Sequence, residues 1–266
     1  MKNKFVILFL SVFLFACNNK EKVVEYYPDN SIHKKYTLKK GIMEGNYVEY
    51  FNDNKIKYEC IFKNGVKVDS SLLYNQNPYF LNQIDFYKKQ DTVYSVSLYD
   101  NGIRENEGEL FEGRQIGKWT FYKKTGEIDK IIEYVNLNGK QYTNQGWYFN
   151  KDGDTIKEFG NYYNYKLSSN EIFAGEVFEL EIEYKPLLVV NGDLIAVFHP
   201  KVESDYSNID SISLDTIVFQ QNKGFSKVSF KDSGKKNLRG YIQEIFRKND
   251  SVAQRKLYID IPIIVK

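Results

Sequence analysis

Histidine, cysteine, tryptophan and methionine each occur only twice in this 266-residue chain, and proline five times. So few histidines and cysteines leave little from which to build a zinc site or a histidine-dependent catalytic centre. No Cys-x-x-Cys, His-Glu-x-x-His, P-loop, Gly-x-Ser-x-Gly or dinucleotide fingerprint occurs. Net charge is also missing. The formal value is +2, and without Lys2 and Lys4 the chain sets 35 basic residues against 35 acidic ones. A balanced chain has no net field to steer it to nucleic acid or anionic lipid. Alanine, leucine and methionine, all good helix formers, are sparse.

Aromatic residues fill the gap. There are 22 Tyr and 19 Phe, and aromatics make up 16% of the chain. Together with Ile, Val and Thr they suit a pleated, half-buried surface. The composition therefore predicts an all-β protein, and the length favours two domains over one.

The first residues have their own pattern. Met1-Lys2-Asn3-Lys4 is a basic head, and Phe5 to Phe15 is apolar except for Ser11. That run is too short to span a bilayer as a helix. A basic head, a short apolar stretch and a small residue before a cut describe a secretory signal peptide over residues 1–16. The ending Leu14-Phe15-Ala16-Cys17 resembles the lipobox of bacterial lipoproteins. The resemblance implies that Cys17 becomes the first mature residue and is acylated on its sulfur and its amine, anchoring the chain to the bilayer. Residue 18 is Asn rather than Asp, which favours the outer membrane over the inner membrane of the cell envelope. Residues 17–23 read as the tether. With Cys17 acylated, Cys60 has no disulfide partner, and its setting in Lys57-Tyr58-Glu59-Cys60-Ile61-Phe62 is that of a buried strand residue.

Self-similarity follows. An aromatic, a polar turn and a β-branched residue recur at 26–32, 50–56, 86–93, 121–128 and 149–156. Asn64-Gly65, Asn101-Gly102 and Asn138-Gly139 each close an alternating run, as a two-residue hairpin turn requires. Gly45, Gly117 and Gly146 precede Tyr47, Trp119 and Trp147. This grammar resembles the bacterial MORN-type repeat (membrane occupation and recognition nexus), in particular the MORN-repeat proteins labelled antitoxin components. The resemblance implies a meandering antiparallel sheet of stacked hairpins over residues 24–166. The stretch 66–85 departs from the pattern, and the anchors at 50, 86 and 121 imply lengthened strands.

Beyond residue 169 the repeats stop. Alternating runs at 177–184, 193–199, 213–219, 224–230, 239–247 and 255–265 predict an immunoglobulin-like β-sandwich over 170–266. Pro262 assigns the last run to an edge or a bulge.

The chemistry-bearing residues give few expectations. His33 and His199 fall in different domains. Asp152-Gly153-Asp154 lacks the ligand ladder of a calcium loop and reads as a turn. Glu105, Glu107 and Glu109 alternate along one strand face. No catalytic residue, metal ligand or cofactor is assigned. Trp119, Trp147 and Tyr148 are the candidates for stacking a ligand. The expected function is that of a non-enzymatic binding scaffold, held to the membrane by Cys17 and presenting its repeats to a protein or glycan partner. The alternatives are an antitoxin-like inhibitor and a glycan-binding or glycan-processing envelope protein.

Overall fold

The computed structural model describes residues 20–88, 91–156, 158–169, 171–186, 193–248 and 251–266. The leader and Cys17 lie outside them. The fold is all-β, and every strand pairing is antiparallel. The first sheet holds twelve strands in sequence order. They are β1 (Lys20–Tyr26), β2 (Ile32–Lys39), β3 (Ile42–Met43), β4 (Gly45–Tyr50), β5 (Ile56–Lys63), β6 (Val66–Asn75), β7 (Phe80–Tyr87), β8 (Thr92–Leu98), β9 (Arg104–Phe111), β10 (Arg114–Tyr122), β11 (Ile128–Leu137) and β12 (Lys140–Tyr148). The short β3 pairs only with β2. Part of the expected tether is thus already a strand, because β1 pairs with β2 from Lys20 onward.

The hairpins repeat with one turn geometry. At 27–31, 51–55, 99–103, 123–127 and 150–154, the first residue's N–H donates to the carbonyl of the fifth, and the fourth donates back to the first. The fourth position is Asn30, Asn54, Gly102, Gly126 or Gly153, always with positive φ. Only Asn, Asp and Gly take that backbone routinely. Successive turns touch along this edge of the sheet. Tyr27 Oη donates to Tyr50 O (2.7 Å) and Tyr99 Oη to Tyr122 O (2.8 Å). Gln76 Nε2 donates to Asn52 Oδ1 and Lys124 pairs with Asp100, each contact 24 residues apart.

The repeat is therefore about 24 residues long, and three readings from the sequence change. The third copy, 86–93, lies on the opposite edge of the sheet, with Phe86 and Tyr87 ending β7 and Thr92 opening β8. So do Asn64-Gly65 and Asn138-Gly139, whereas Asn101-Gly102 belongs to the first edge. The irregular stretch 66–85 is an ordinary hairpin, β6–β7, whose turn runs through Asn77-Pro78.

The second sheet comprises β13 (Tyr162–Leu167), β14 (Val177–Lys185), β15 (Asp193–His199), β16 (Asp215–Gln220), β17 (Lys223–Ser229), β18 (Gly234–Lys248) and β19 (Ser251–Val265). Its order is β13-β14-β17-β16-β15-β18-β19. Strands β14 and β17 face β15, β18 and β19 across a shared core that includes Leu180, Ile182, Phe198, Leu238 and Ile259. Strand β16 joins the two halves, and a parallel bridge between Ile172 and Val265 nearly closes the sheet. Pro262 lies on β19, an end strand, where a missing N–H is tolerated. This unit starts earlier than residue 170. Strand β13, grouped with the repeats on sequence, pairs with β14 from Tyr162 to Leu167.

The two units bury apolar surface very differently. The second has a conventional core, with Leu180, Ile182, Leu238, Ile242, Leu257 and Ile259 all at 0% exposure. In the first, the only buried apolar side chains among the described residues are Cys60, Val96, Trp119 and Ile132. It is a single layer, stabilised by cross-strand pairs of roughly 0.2–1 kcal/mol each rather than by a core.

Candidate functional site

Ladder registers define the faces of the first sheet. Directly paired residues share a face, and the pairs Val24–Lys35–Val48–Glu59–Leu72–Ile84–Val96–Glu107–Thr120–Ile131–Trp147 run unbroken across it. This is the Trp147 face. At its far end β10, β11 and β12 meet the second unit, and a groove of about 430 Å³ opens there. Lys118, Glu133, Gln145 and Trp147 line it from the first sheet. Tyr163, Asn164, Tyr165, Asp260 and Pro262 line it from the second.

Each wall is held by specific bonds. The Trp147 ring stacks on Tyr162, centroids 5.7 Å apart at 23°, and the Lys118 ammonium lies 4.8 Å from the indole centroid. Glu133 Oε2 accepts from Asn144 Nδ2 and Gln145 Nε2, both at 2.7 Å. Gln145 Oε1 in turn accepts from Tyr163 N (2.9 Å). The Tyr163 hydroxyl accepts from Asp260 N (3.2 Å). Burial pushes its pKa well above the ordinary tyrosine value, which the Asp260 amide only partly offsets, so the phenol keeps its proton to donate. The Asp260 carboxylate is paired with Arg239 (3.0 Å) and accepts from Asn237.

A polar seam and a small core hold the two units together. Asn144, 1% exposed, donates to Tyr258 O (2.8 Å) and accepts from Tyr258 N (2.7 Å). Tyr142 Oη donates to Lys256 O (2.7 Å), and Arg255 Nη2 donates to Asn144 O (2.6 Å). The outer edge of β19 is thus capped by side chains rather than by another strand. Arg255 also stands directly opposite the buried Glu244 in the β18–β19 ladder. Beside the seam, Val202, Tyr206 and Ile209 pack against Val135 and Leu137 of β11 and Tyr241 and Tyr258 of the second sheet.

The three ligand-stacking candidates separate. Trp119 is 4% exposed. Its indole N–H donates to Glu109 O (3.0 Å), and its ring lies so close over Gly108 that a Cβ there would sit 2.5 Å from it. It is a packed structural residue with no surface to offer a ligand. Tyr148 follows Trp147 on the same strand and so points to the opposite face, where Lys130 is its ladder partner. Only Trp147 reaches the groove.

The other residues singled out on sequence are engaged elsewhere. The His33 ring lies tilted at 36° against Tyr27, centroids 4.3 Å apart, and 3.7 Å from Glu49. His199 Nδ1 accepts from Lys201 N. Cys60 is buried, and burial raises its thiol pKa. Glu107 accepts from Tyr122 Oη (2.5 Å), and Glu109 pairs with Lys88 (2.6 Å). Asp152 and Asp154 donate their backbone N–H groups to Asn150 Oδ1 in a hairpin turn. No cluster of three or more His, Cys, Asp or Glu able to hold a metal is found among the described residues.

Glu133, Gln145, Tyr163 and Asp260 are the groove residues that sequence reading missed. Each sits in an ordinary alternating strand, and they come together only because β19 docks beside β12. The one available signal is Asn144-Gln145, two amides in place of the alternating apolar residue of the earlier hairpins. Comparison with protein-family models and with curated proteins finds no match for this chain.

Proposed function

We propose that this protein is a lipid-anchored envelope lipoprotein whose MORN-like repeat sheet serves as a non-enzymatic binding scaffold. Acyl chains on Cys17 tie it to the bilayer, favouring the outer membrane, and the repeats present a broad surface to a protein or glycan partner. The observation carrying this reading is the single-layer construction of the first sheet. A monomeric domain ordinarily covers its apolar face with a second layer. Here the Trp147 face leaves Val24, Ile61, Val66 and Phe86 at 41, 41, 65 and 44% exposure. Such a surface suits association. The second unit supplies the conventional core, and the seam through Asn144 fixes it to one end of the sheet.

Cross-linking in intact cells tests this. The full-length chain is compared with a variant carrying Val24→Asp and Phe86→Asp at two exposed positions, and the melting temperature of both chains is read alongside to separate lost association from lost folding. The reading expects a discrete cross-linked species with the wild type that is lost with the variant. Identical cross-linking by both chains would contradict it.

A further inference from the structure

We propose that the groove between the two units is a saccharide site, taking one or two neutral sugar rings with Trp147 as the stacking plate. This deepens the scaffold reading by naming the ligand chemistry of one place on the molecule.

A sugar ring presents two chemistries at once. Its C–H faces stack on aromatic rings, and its equatorial hydroxyls require donors and acceptors in the ring plane. The groove supplies both. Trp147 provides the plate: Tyr162 covers one side of the indole, and the Lys118 ammonium, 4.8 Å from the ring centroid, is the group that a sugar ring displaces. Around it stand the Glu133 carboxylate as acceptor, the Tyr163 phenol as donor, and the Asn164 amide as either. The volume of about 430 Å³ lies in the range of small-ligand sites, which favour domain junctions.

The walls are set in advance. Tyr162 braces the indole, two amides clamp Glu133, and the Gln145 carbonyl and Asp260 N–H fix Tyr163. Beyond moving the Lys118 side chain off the indole, a ligand therefore pays little to order them. Charge points to a neutral ligand. Lys118 offsets Glu133 within the groove, and Asp260 is already paired with Arg239. An extended peptide is disfavoured, because strand addition needs a free edge. The β19 edge at 256–260 is occupied by Tyr142, Asn144 and Tyr163, and on β13, the other end strand at the groove, Gln145 takes the Tyr163 N–H.

The test uses the full-length chain in detergent, titrated with cellobiose, N,N′-diacetylchitobiose and maltose. Calorimetry and tryptophan fluorescence are read together. The chain has two tryptophans, and Trp119 is shut away from solvent, so a ligand-induced shift reports Trp147. Saturable binding of at least one disaccharide is expected, with Kd on the order of 0.1–1 mM. Trp147→Ala weakens it by about tenfold or more, the loss of one stacking contact of ~1.4 kcal/mol, and Trp147→Phe by less. An unchanged melting temperature in both variants separates lost binding from lost folding. Absence of saturation by all three sugars at about 10 mM, well above that range, would overturn the proposal. So would binding that survives Trp147→Ala, or a tri-lysine peptide binding through Trp147 in place of the sugars. The cross-linking positions Val24 and Phe86 lie on β1 and β7, away from the groove, so the scaffold reading stands or falls separately.

Discussion

Asn144 of β12 exchanges two hydrogen bonds with the backbone of Tyr258 on β19, donating at 2.8 Å and accepting at 2.7 Å. One side-chain amide thereby does what a neighbouring strand would do, across 114 residues of sequence. It also holds Glu133 at 2.7 Å. Asn144→Ala leaves the Tyr258 N–H and C=O without partners in a buried seam, where each orphaned group costs about 1–3 kcal/mol. A loss of about 2–4 kcal/mol in urea unfolding is expected. Asn144→Asp is worse, because it removes the donor and sets a second carboxylate beside Glu133.

Gly108 and Trp119 make a second obligate pair. A Cβ at residue 108 would meet the indole at 2.5 Å, and the backbone there is part of the β8–β9 ladder. Overpacking of this kind costs about 1–3 kcal/mol. Gly108→Ala lowers the melting temperature and shifts Trp119 fluorescence. Adding Trp119→Phe gives a smaller ring, and a double-mutant cycle returns part of the loss as coupling.

Glu49 ties stability to pH. Burial opposes its ionisation, but Lys57 at 2.6 Å outweighs that, with Lys34 and His33 adding attraction, and the net pKa falls below the ordinary 4.5. A carboxylate with a depressed folded pKa stabilises above its unfolded value and loses that contribution as pH falls through the folded one. Glu49→Gln is therefore less stable than wild type at pH 7 by about 0.5–1 kcal/mol, allowing for solvent screening. The gap narrows below pH 4.5 and closes in stronger acid. Chemical denaturation at a series of pH values measures it, and a gap independent of pH would refute the assignment.

The strands of the second unit were largely legible. Alternation placed Val177–Lys185 and Asp193–His199 within a residue of their ends, and Pro262 marked an edge strand. The hairpin turns at 27–31, 51–55 and 123–127 were equally visible, because each combines an aromatic with a positive-φ residue. Two copies lie between 51–55 and 123–127: the turn at 99–103 shows in the sequence only through Asn101-Gly102, and the β6–β7 turn does not show as a copy at all. That turn uses Asn77-Pro78 and contains no glycine, so the sequence offers the aromatic pair Phe86-Tyr87, at the opposite edge, as an anchor in its place. The sequence groups strand β13 with the repeats because Tyr162–Leu167 carries their Tyr-rich texture, whereas its ladder partner is β14. Pairing partners far apart in sequence leave no local trace. For the same reason only Trp147 of the groove could be named in advance, and burial of Trp119 beneath its neighbours distinguished two residues that sequence treats alike.

The anchor on Cys17 is the claim on which the envelope scaffold depends. Metabolic labelling with radioactive palmitate, comparing the wild-type chain with Cys17→Ala, tests it most directly. The account predicts a labelled wild-type protein in the membrane fraction and an unlabelled Cys17→Ala protein that retains its leader. An unlabelled, freely soluble wild-type protein would contradict it.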